Sequence, residues 1–384
     1  MQKPSLSKIF LAFLKLGIVA FGGPALVEHI RKLSVERNMW LDNEAFKDGV
    51  ALCQSIPGAT AMQMATYVGL KTNGILGAVL SCSGFVIPAF LLMLMFSALY
   101  ANYHELPQII SMFAGLNIII VAIMLNATYS FGKTSLSDRK DVGLALISAG
   151  LLWIGVSPFL VVLGAALLGI LVFKNEEIFV GNAGRETVLF HMKHIIFLSI
   201  AFVSSFVFLY FFSIKLLQLS AVMFKVNLFA FGGGYGALPL LLHEVVNIRG
   251  WMDNKTFMDG IALGQVTPGP IIITSTFVGY LIDGLSGAIV STISSFASSF
   301  FVLIVAVPFF EKLRTFRYFN SATRGVLVTF VGLLLYVSID FSLAIHWNTV
   351  KMILVLMALF CLFNKVKILY IILAGVPISM LLFK

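Results

Sequence analysis

Residues 264–270 read GQVTPGP, and residues 53–59 carry a related segment, CQSIPGA. Both segments lie in a chain of 384 residues that is 59% hydrophobic and only 11% charged. Proline lacks the amide hydrogen that a helix needs and collides with the preceding turn, while glycine adds conformational freedom. We therefore predict two apolar helices, each interrupted at its Pro-Gly pair.

The composition is that of a membrane protein. Mean hydropathy is +1.00, and apolar runs long enough to cross a hydrocarbon core of about 30 Å recur along the chain. A sustained alternation of apolar and polar residues is absent, so helices rather than a β-barrel would satisfy the backbone in lipid. The net charge is +9, and the Lys and Arg residues cluster in short loops. Basic residues in such loops set the orientation of a membrane protein. We predict an all-α polytopic protein, multi-pass in the cell membrane, with the lipid bilayer and no nucleic acid as partner.

A repeat relates the two halves of the chain. An offset of 210 residues pairs Lys15 with Lys225, and the FGG at 21–23 with the FGG at 231–233. One extra residue then shifts the offset to 211, which pairs residues 54–58 with residues 265–269. Because rare residue types match in the same order, the repeat indicates a duplication.

The apolar runs predict six helices in each half. In the first half these lie near residues 6–27, 43–70, 74–100, 108–130, 142–157 and 158–173. In the second half they lie near residues 215–241, 254–280, 284–310, 323–341, 349–363 and 366–383. One unmatched helix lies near 191–212. The predicted domains are a first repeat at 1–173, a polar linker with a connecting transmembrane helix at 174–212, and a second repeat at 213–384.

The basic residues orient the halves in opposite directions. Lys133, Arg139 and Lys140 mark one loop as cytoplasmic, whereas the corresponding residues 340–348 contain no Lys or Arg. We therefore predict two inverted-topology repeats that the extra helix turns over. Residues 28–47 should lie outside, yet they contain four basic residues: Arg31, Lys32, Arg37 and Lys47. Either the neighbouring helices do not fully cross the membrane or the charge rule fails here.

Inverted repeats with Pro/Gly-broken helices point to a transporter whose site lies midway across the membrane. After each break a new helix begins, near Thr60 and Ile271, and its first amides lack intrahelical acceptors and carry the positive end of the helix dipole. Such amides suit an anion. Asp42 and Asp253 are predicted N-caps for the helices before the breaks.

Several side chains repeat beside these breaks. A lysine inside a membrane helix faces protein or water, although it also snorkels from a helix end. Gln54 and Gln265 either donate to an oxyanion or satisfy carbonyls that the prolines free, and Asp48 and Asp259 either carry protons or pair with Lys or Arg. The candidate substrate-binding residues are Lys15, Gly22, Gly23, Gln54, Pro57, Gly58, Lys225, Gly232, Gly233, Gln265, Pro268 and Gly269.

The FGG motif, the W-x-D-x-x-x-F segment at 40–46, the Q-x-x-PGP motif and the following VG…G…GA pattern resemble the chromate ion transporter (CHR) family. The likeness covers both halves, as in a two-domain member. It implies chromate efflux from the cytoplasm, with sulfate as a chemical mimic, antiparallel halves, and coupling to the membrane potential or a proton gradient. The chain departs from the pattern at Ala59, Gly234 and Asn227, which predicts unequal contributions from the halves.

We therefore expect a secondary transporter that exports chromate or a related tetrahedral oxyanion by alternating access. An anion channel, or a transporter of sulfate or another oxyanion on the same scaffold, is the alternative. The sequence offers no phosphate loop, catalytic dyad or metal-like constellation, so we expect no enzyme, no catalytic residue, no metal and no cofactor. The oligomeric state is open, with a homodimer among the options.

Overall fold

The computed structural model describes residues 3–21, 25–173, 192–310 and 316–383. The described residues form helices and connecting turns, with no β-strand among them. Five of their helical segments are long and apolar enough to cross a membrane: Thr60–Tyr103, Pro107–Ser135, Ile195–Phe212, Ile271–Phe309 and Arg317–Leu343. The prediction of an all-α polytopic membrane protein is confirmed.

The helices follow the same order in the two halves. Those before the connecting helix are α1 Leu6–Val19, α2 Ala25–Arg31, α3 Asn43–Ser55, α4 Thr60–Tyr103, α5 Pro107–Ser135, α6 Arg139–Trp153 and α7 Pro158–Val172. Those from the connecting helix onward are α8 Met192–Phe212, α9 Ile214–Phe229, α10 Gly234–Leu242, α11 Asn254–Val266, α12 Thr274–Ala306, α13 Arg317–Leu343, α14 Thr349–Phe363 and α15 Ile368–Leu382. Matching π-helical turns, Lys32–Arg37 and His243–Ile248, extend α2 and α10. Short 3₁₀ turns, Ile271–Ile273 and Val307–Phe309, flank α12.

Four predicted helices are each divided in two. The predicted spans 6–27, 43–70, 215–241 and 254–280 break at or beside the FGG and Pro-Gly segments, because α1, α3, α9 and α11 end there. The side chains of Asp42 and Asp253 accept hydrogen bonds from the amides of Ala45 (2.7 Å) and Thr256 (2.8 Å). Both predicted N-caps are therefore confirmed, and so are the Pro/Gly-broken helices.

Helices α4 and α12 each reverse direction at one point. The reversals occur at Asn73 with Gly74 (φ 64°) and at Asp283 with Gly284 (φ 57°). Asn-Gly and Asp-Gly pairs favour such turns, since glycine adopts positive φ without strain. Gly69 lies against Gly77, and Gly279 lies against Gly287, so each of the two helices is a pair of antiparallel segments.

The short helices of the first half form hairpins whose open ends lie together. The side-chain amide of Asn73 donates to the carbonyl of Pro4 at 2.9 Å, so the reversal in α4 lies beside the start of α1. Gly49 of α3 lies against the Tyr67 ring, so α3 runs antiparallel to the first segment of α4. The segment between α2 and α3 therefore lies at the same end of the molecule as the start of α1.

The lengths of these helices bear on the basic residues at 28–47. Helix α1 has 14 residues and α3 has 13, which correspond to about 20 Å each at 1.5 Å per residue. Both are shorter than a hydrocarbon core of about 30 Å. Of the two explanations for the basic segment, the structure supports the one in which its neighbouring helices do not cross the membrane.

The two halves interlock through their C-terminal helices. Helices α6 and α7 pack against α13 of the second half, while α14 and α15 pack against α5 of the first. The Ser321 hydroxyl donates to the Phe173 carbonyl at 3.0 Å, and at the corresponding positions Ser111 donates to Phe383. The same contact therefore occurs at positions that the 210-residue offset relates.

Helices α5 and α13 are also in contact with each other. The hydroxyl oxygens of Thr128 and Ser338, 210 residues apart, lie 3.1 Å from each other. Gly132, one turn later in α5, lies beside Val331, which precedes Ser338 in α13. The two corresponding helices therefore run antiparallel where they touch.

An ion pair joins the starts of α6 and α13. Asp141 is fully buried and accepts hydrogen bonds from Arg324 at 2.9 Å and from the Ser137 amide at 2.7 Å. The basic loop before α6 and the basic start of α13 thus lie at one end of the molecule. The charge pattern assigns both of these segments to the cytoplasm.

Candidate functional site

The chain breaks of the two halves meet inside the molecule. The amide of Gly58 donates to the carbonyl of Ala230 at 2.7 Å, and the amide of Gly269 donates to the carbonyl of Ala20 at 2.9 Å. Both glycines have positive φ, at 125° and 97°. Each Pro-Gly break therefore binds the end of the first helix of the other half, at positions that the repeat relates.

A new helix begins after each break, as predicted. Helix α4 starts at Thr60, and the 3₁₀ turn at Ile271–Ile273 leads into α12. The amides of Gly58 and Gly269 already donate to carbonyls, and the Ala59 amide donates to the Ser299 hydroxyl at 3.0 Å. An anion at the first-half break would therefore use the amides in the first turn of α4, where intrahelical acceptors are lacking.

The FGG glycines of the second half lie beside this helix start. Gly232 (φ 77°) and Gly233 (φ 84°) separate α9 from α10. A Cβ atom on Gly233 would stand 3.3 Å from Oγ1 of Thr60. The structure thus brings the FGG break of one half to the Pro-Gly break of the other. Gly22 and Gly23 lie outside the described residues.

A glutamine that the sequence analysis did not select supports the first-half break. The Nε2 of Gln63 donates to the Pro57 carbonyl at 2.7 Å, and Gln63 is fully buried. Gln54 is exposed, and Gln265 donates to the Tyr235 hydroxyl at 3.2 Å. The feature of the sequence that could have identified Gln63 is its polar side chain within the apolar run AMQMA, residues 61–65, directly after the break. Gln63, rather than Gln54, therefore satisfies a backbone carbonyl at the break, that of Pro57 itself.

Serines give the second half a more polar face at the centre. The described residues provide no hydrogen-bond partner for the buried hydroxyls of Ser275, Ser295 and Ser298. At an offset of 210, Ser295 and Ser298 correspond to Phe85 and Pro88 in α4. Buried polar groups usually have partners, so these hydroxyls remain available to a polar ligand.

Lys15 and Lys225 have different surroundings. The Nζ of Lys225 lies 2.7 Å from the Glu244 carboxylate and 3.9 Å from the centre of the Phe159 ring. Arg249 approaches the same carboxylate at 3.7 Å. Lys15 is exposed, and no ion pair joins it to another described residue. Of the two predicted lysine ligands, Lys15 therefore has no counter-ion among the described residues.

Lys15 lines an open cavity of about 1060 Å³ between α1 and the segment formed by α2 and its π-helical turn. We call this space the basic cavity, because the described residues that line it include no acidic residue and comprise Lys8, Lys15, His29, Lys32 and Arg37 among others. It extends along α1 as far as Val19, the last residue before the FGG break. The basic cavity therefore runs along nearly the whole of α1, from Ser7 to Val19.

Asp48 and Asp259 also differ. Asp259 is 3% exposed and accepts hydrogen bonds from the Tyr100 hydroxyl at 2.8 Å and the Asn117 amide at 2.9 Å. Its direct partners are neutral side chains of the first half rather than a lysine or arginine. Asp48 is only half-buried. The buried carboxylate thus ties α11 to α4 and α5 of the other half.

The chain matches the family described as "Chromate transporter" over residues 7–170 and 217–380, which are the two repeats. It is 41% identical to an uncharacterized transporter of Methanocaldococcus jannaschii, over 99% of this chain and 95% of that protein. It is 30% identical to a probable chromate transport protein of Synechococcus elongatus, over 85% of this chain and 82% of that protein.

A chromate transport protein of Pseudomonas aeruginosa is also 30% identical, over 88% of this chain and 81% of that protein. No solved structure matches the chain. Family members are transporters rather than enzymes. The family match covers both repeats and agrees with the apolar helices of a multi-pass protein of the cell membrane. The chain therefore belongs to the chromate transporter family.

Proposed function

We propose that this protein exports chromate, or a related tetrahedral oxyanion, through a site where the chain breaks of the two halves meet. The observation that carries the proposal is the reciprocal pair of hydrogen bonds from Gly58 to Ala230 and from Gly269 to Ala20. These bonds bring the glycines of both Pro-Gly breaks, which precede α4 and α12, to the ends of α9 and α1. The names of the relatives from Synechococcus and Pseudomonas support chromate as the substrate.

The two repeats have inverted topology in this proposal. The antiparallel contact of α5 with α13 supports it, since Thr128 lies against Ser338 and Gly132 beside Val331. The helices that lead to the breaks, α1 and α3 in one half and α9 and α11 in the other, then enter from opposite sides of the membrane. With 28–47 on the cytoplasmic side, its basic residues follow the positive-inside rule.

Alternating access follows from the paired hairpins. One pair reaches the centre from the cytoplasm and the other from outside, so rocking of one repeat against the other would expose the same site to each side in turn. The basic cavity supports export, because it attracts anions at the end that the charge pattern assigns to the cytoplasm.

Transport into proteoliposomes tests the proposal. We expect saturable uptake of labelled chromate into vesicles that hold the purified full chain, with competition from sulfate and molybdate. The same assay with and without a pH gradient reports on proton coupling. Absence of chromate flux above that of protein-free vesicles contradicts the proposed function.

An anion channel on the same scaffold would behave differently. A carrier accelerates labelled uptake when unlabelled substrate is preloaded inside the vesicle, whereas a channel passes single-channel currents in a planar bilayer. We expect the first result. Single-channel currents without counterflow would replace the transporter proposal with the channel.

A further inference from the structure

The second half contains a carboxylate at the place where two cationic side chains converge. Glu244 is 5% exposed and lies in the π-helical turn that follows α10. One carboxylate oxygen is 2.7 Å from Nζ of Lys225, and the other is 3.7 Å from Nε of Arg249. Burial of a carboxylate is costly unless it is paired. Lys225 and Arg249 therefore form an anion-binding site that the Glu244 carboxylate occupies.

The first half repeats the cations but lacks the carboxylate. Lys15 corresponds to Lys225, and Arg37 lies one position from the counterpart of Arg249. At the offset of 211 that relates the two π-helical turns, Leu33 stands in place of Glu244. Leu33, Lys15 and Arg37 all line the basic cavity. The corresponding cations of the first half therefore line one cavity in which no carboxylate of the described residues takes the place of Glu244.

Two further observations indicate that the site accepts a ligand. Neither Lys15 nor Arg37 forms an ion pair with another described residue, and the lining of the basic cavity contains no acidic side chain. The Nδ1 of His29, which also lines the cavity, is buried without a hydrogen-bond partner among the described residues. A ligand with several acceptor oxygens would supply the counter-charge that Lys15 and Arg37 lack among the described residues.

We infer that the basic cavity binds one tetrahedral dianion between Lys15 and Arg37, at the position that the Glu244 carboxylate fills in the second half. Arginine and lysine make charge-assisted hydrogen bonds to such oxyanions. Lys8 and Lys32 raise the local concentration of anions around the site. In the second half an anion would have to displace Glu244, so each chain holds one such ion. The identity of the oxyanion rests on the proposed function, whereas its binding does not require transport.

The decisive variant installs the missing carboxylate. Leu33→Glu places an acidic group beside Lys15 and Arg37, as in the second half, and Leu33→Gln is the matched neutral control. Leu33 is only partly buried and lines an open space, so both side chains have room. The readout is equilibrium binding of chromate and of sulfate to the full chain in lipid-free detergent, by isothermal titration at constant ionic strength.

Apart from an ion at the chain breaks, we expect one ion per wild-type chain, with at least tenfold weaker binding at this site in Leu33→Glu and Lys15→Ala, and affinity within about threefold of the wild type in Leu33→Gln. Thermal melting of each variant controls for folding. A variant that melts early is replaced by Arg37→Gln, for which the same loss is expected. Equal affinity of Leu33→Glu and wild type overturns the inference, as does an absence of saturable binding in the wild type.

A phospholipid headgroup carries the same phosphate chemistry, so short-chain phosphatidylglycerol is titrated in parallel. Saturable binding of that lipid without binding of chromate or sulfate overturns the inference in favour of a lipid site. Vesicle flux separates the two proposals. Site-specific binding without flux leaves the inference standing and contradicts the transporter, whereas flux with unaltered binding in Leu33→Glu overturns only the inference.

Discussion

At the scale of single residues, the two halves use different side chains to support equivalent breaks. Gln63 binds the Pro57 carbonyl in the first half. In the second half the Thr274 hydroxyl donates to the Ile271 carbonyl at 2.8 Å. Both side chains satisfy carbonyls where the helix is irregular, a requirement that is strict within a membrane. This explains why a polar residue follows each break although the residue type differs.

Replacement of Gln63 should weaken the first-half break. Gln63→Leu removes the donor to the Pro57 carbonyl, and an unsatisfied buried carbonyl costs about 1–3 kcal/mol. We expect a lower melting temperature in detergent and reduced transport. Gln54→Leu is the matched control, because Gln54 is exposed. If both variants melt together with the wild type, Gln63 does not stabilise the break.

Lys225 should matter for stability through Glu244. In Lys225→Ala the carboxylate of Glu244, which is 5% exposed, keeps only the more distant Arg249. Since Lys225 itself is about half exposed, we expect a loss of about 1–2 kcal/mol rather than more. Addition of Glu244→Gln should restore most of the stability, which a double-mutant cycle of thermal melts would measure. A purely additive cycle would mean that the pair is not coupled.

At the scale of helices, the breaks depend on glycines in conformations that other residues avoid. Gly269 has a φ of 97°, and a Cβ atom there would stand 3.2 Å from the Ala89 side chain. A Cβ on Gly58 would stand 2.5 Å from Nε2 of Gln63. Positive φ and close packing together require glycine at both positions. The conformation of each break is therefore specified by the fold, and the breaks are not merely flexible points in the helices.

Gly269→Leu should reduce transport at least tenfold while the protein still inserts into the membrane. The leucine would strain the backbone and displace the hydrogen bond from residue 269 to Ala20. Gly164→Leu, at a position of α7 where an added Cβ meets no atom within 4 Å, is the control. Transport by both variants is compared at equal membrane content. Equal transport by the two variants would mean that the conformation of the second break is not needed for transport.

The sequence predicted these breaks because proline and glycine act locally. The boundary between the predicted spans 43–70 and 74–100 also agrees with the reversal at Asn73 and Gly74, since Asn-Gly is a local turn signal. The packing of α6 and α7 on α13 was not predicted. Apolar periodicity marks which helices enter the membrane but not which helix covers them. Glu244 was missed because its pairing with Lys225 spans 19 residues.

At the scale of the whole molecule, the interlocked helices make the halves depend on each other. The ion pair of Asp141 with Arg324 joins them, and burial alone would raise the pKa of Asp141. The hydrogen bonds from Arg324 and from the Ser137 and Asp138 amides outweigh burial and lower that pKa. A lowered pKa stabilises the fold above the unfolded-state pKa of about 3.9, and this contribution is lost on acidification.

Arg324→Met should therefore destabilise the protein at pH 7 by about 2–3 kcal/mol, because it leaves the Asp141 carboxylate buried without its cation. Without Arg324 the pKa of the buried Asp141 carboxyl rises, so the carboxyl takes up a proton as the pH falls toward 4, and the deficit relative to wild type should shrink over that range. Asp141→Asn added to Arg324→Met should recover stability at pH 7. Thermal melts across this pH range measure both effects, and a deficit independent of pH would contradict the electrostatic explanation.

Inverted topology predicts which side of the membrane each connecting segment faces, and stability measurements do not test this. In a variant whose native cysteines are replaced, single cysteines at Met39 and Ser137 should react with a membrane-impermeant maleimide only from the cytoplasm. Cysteines at Ser286 and His346 should react only from outside. Met39 decides the matter, because it lies in the segment between α2 and α3, next to the basic residues. If Met39 and Ser286 label from the same side, the hairpins enter together, and the two breaks cannot be exposed to opposite sides in turn.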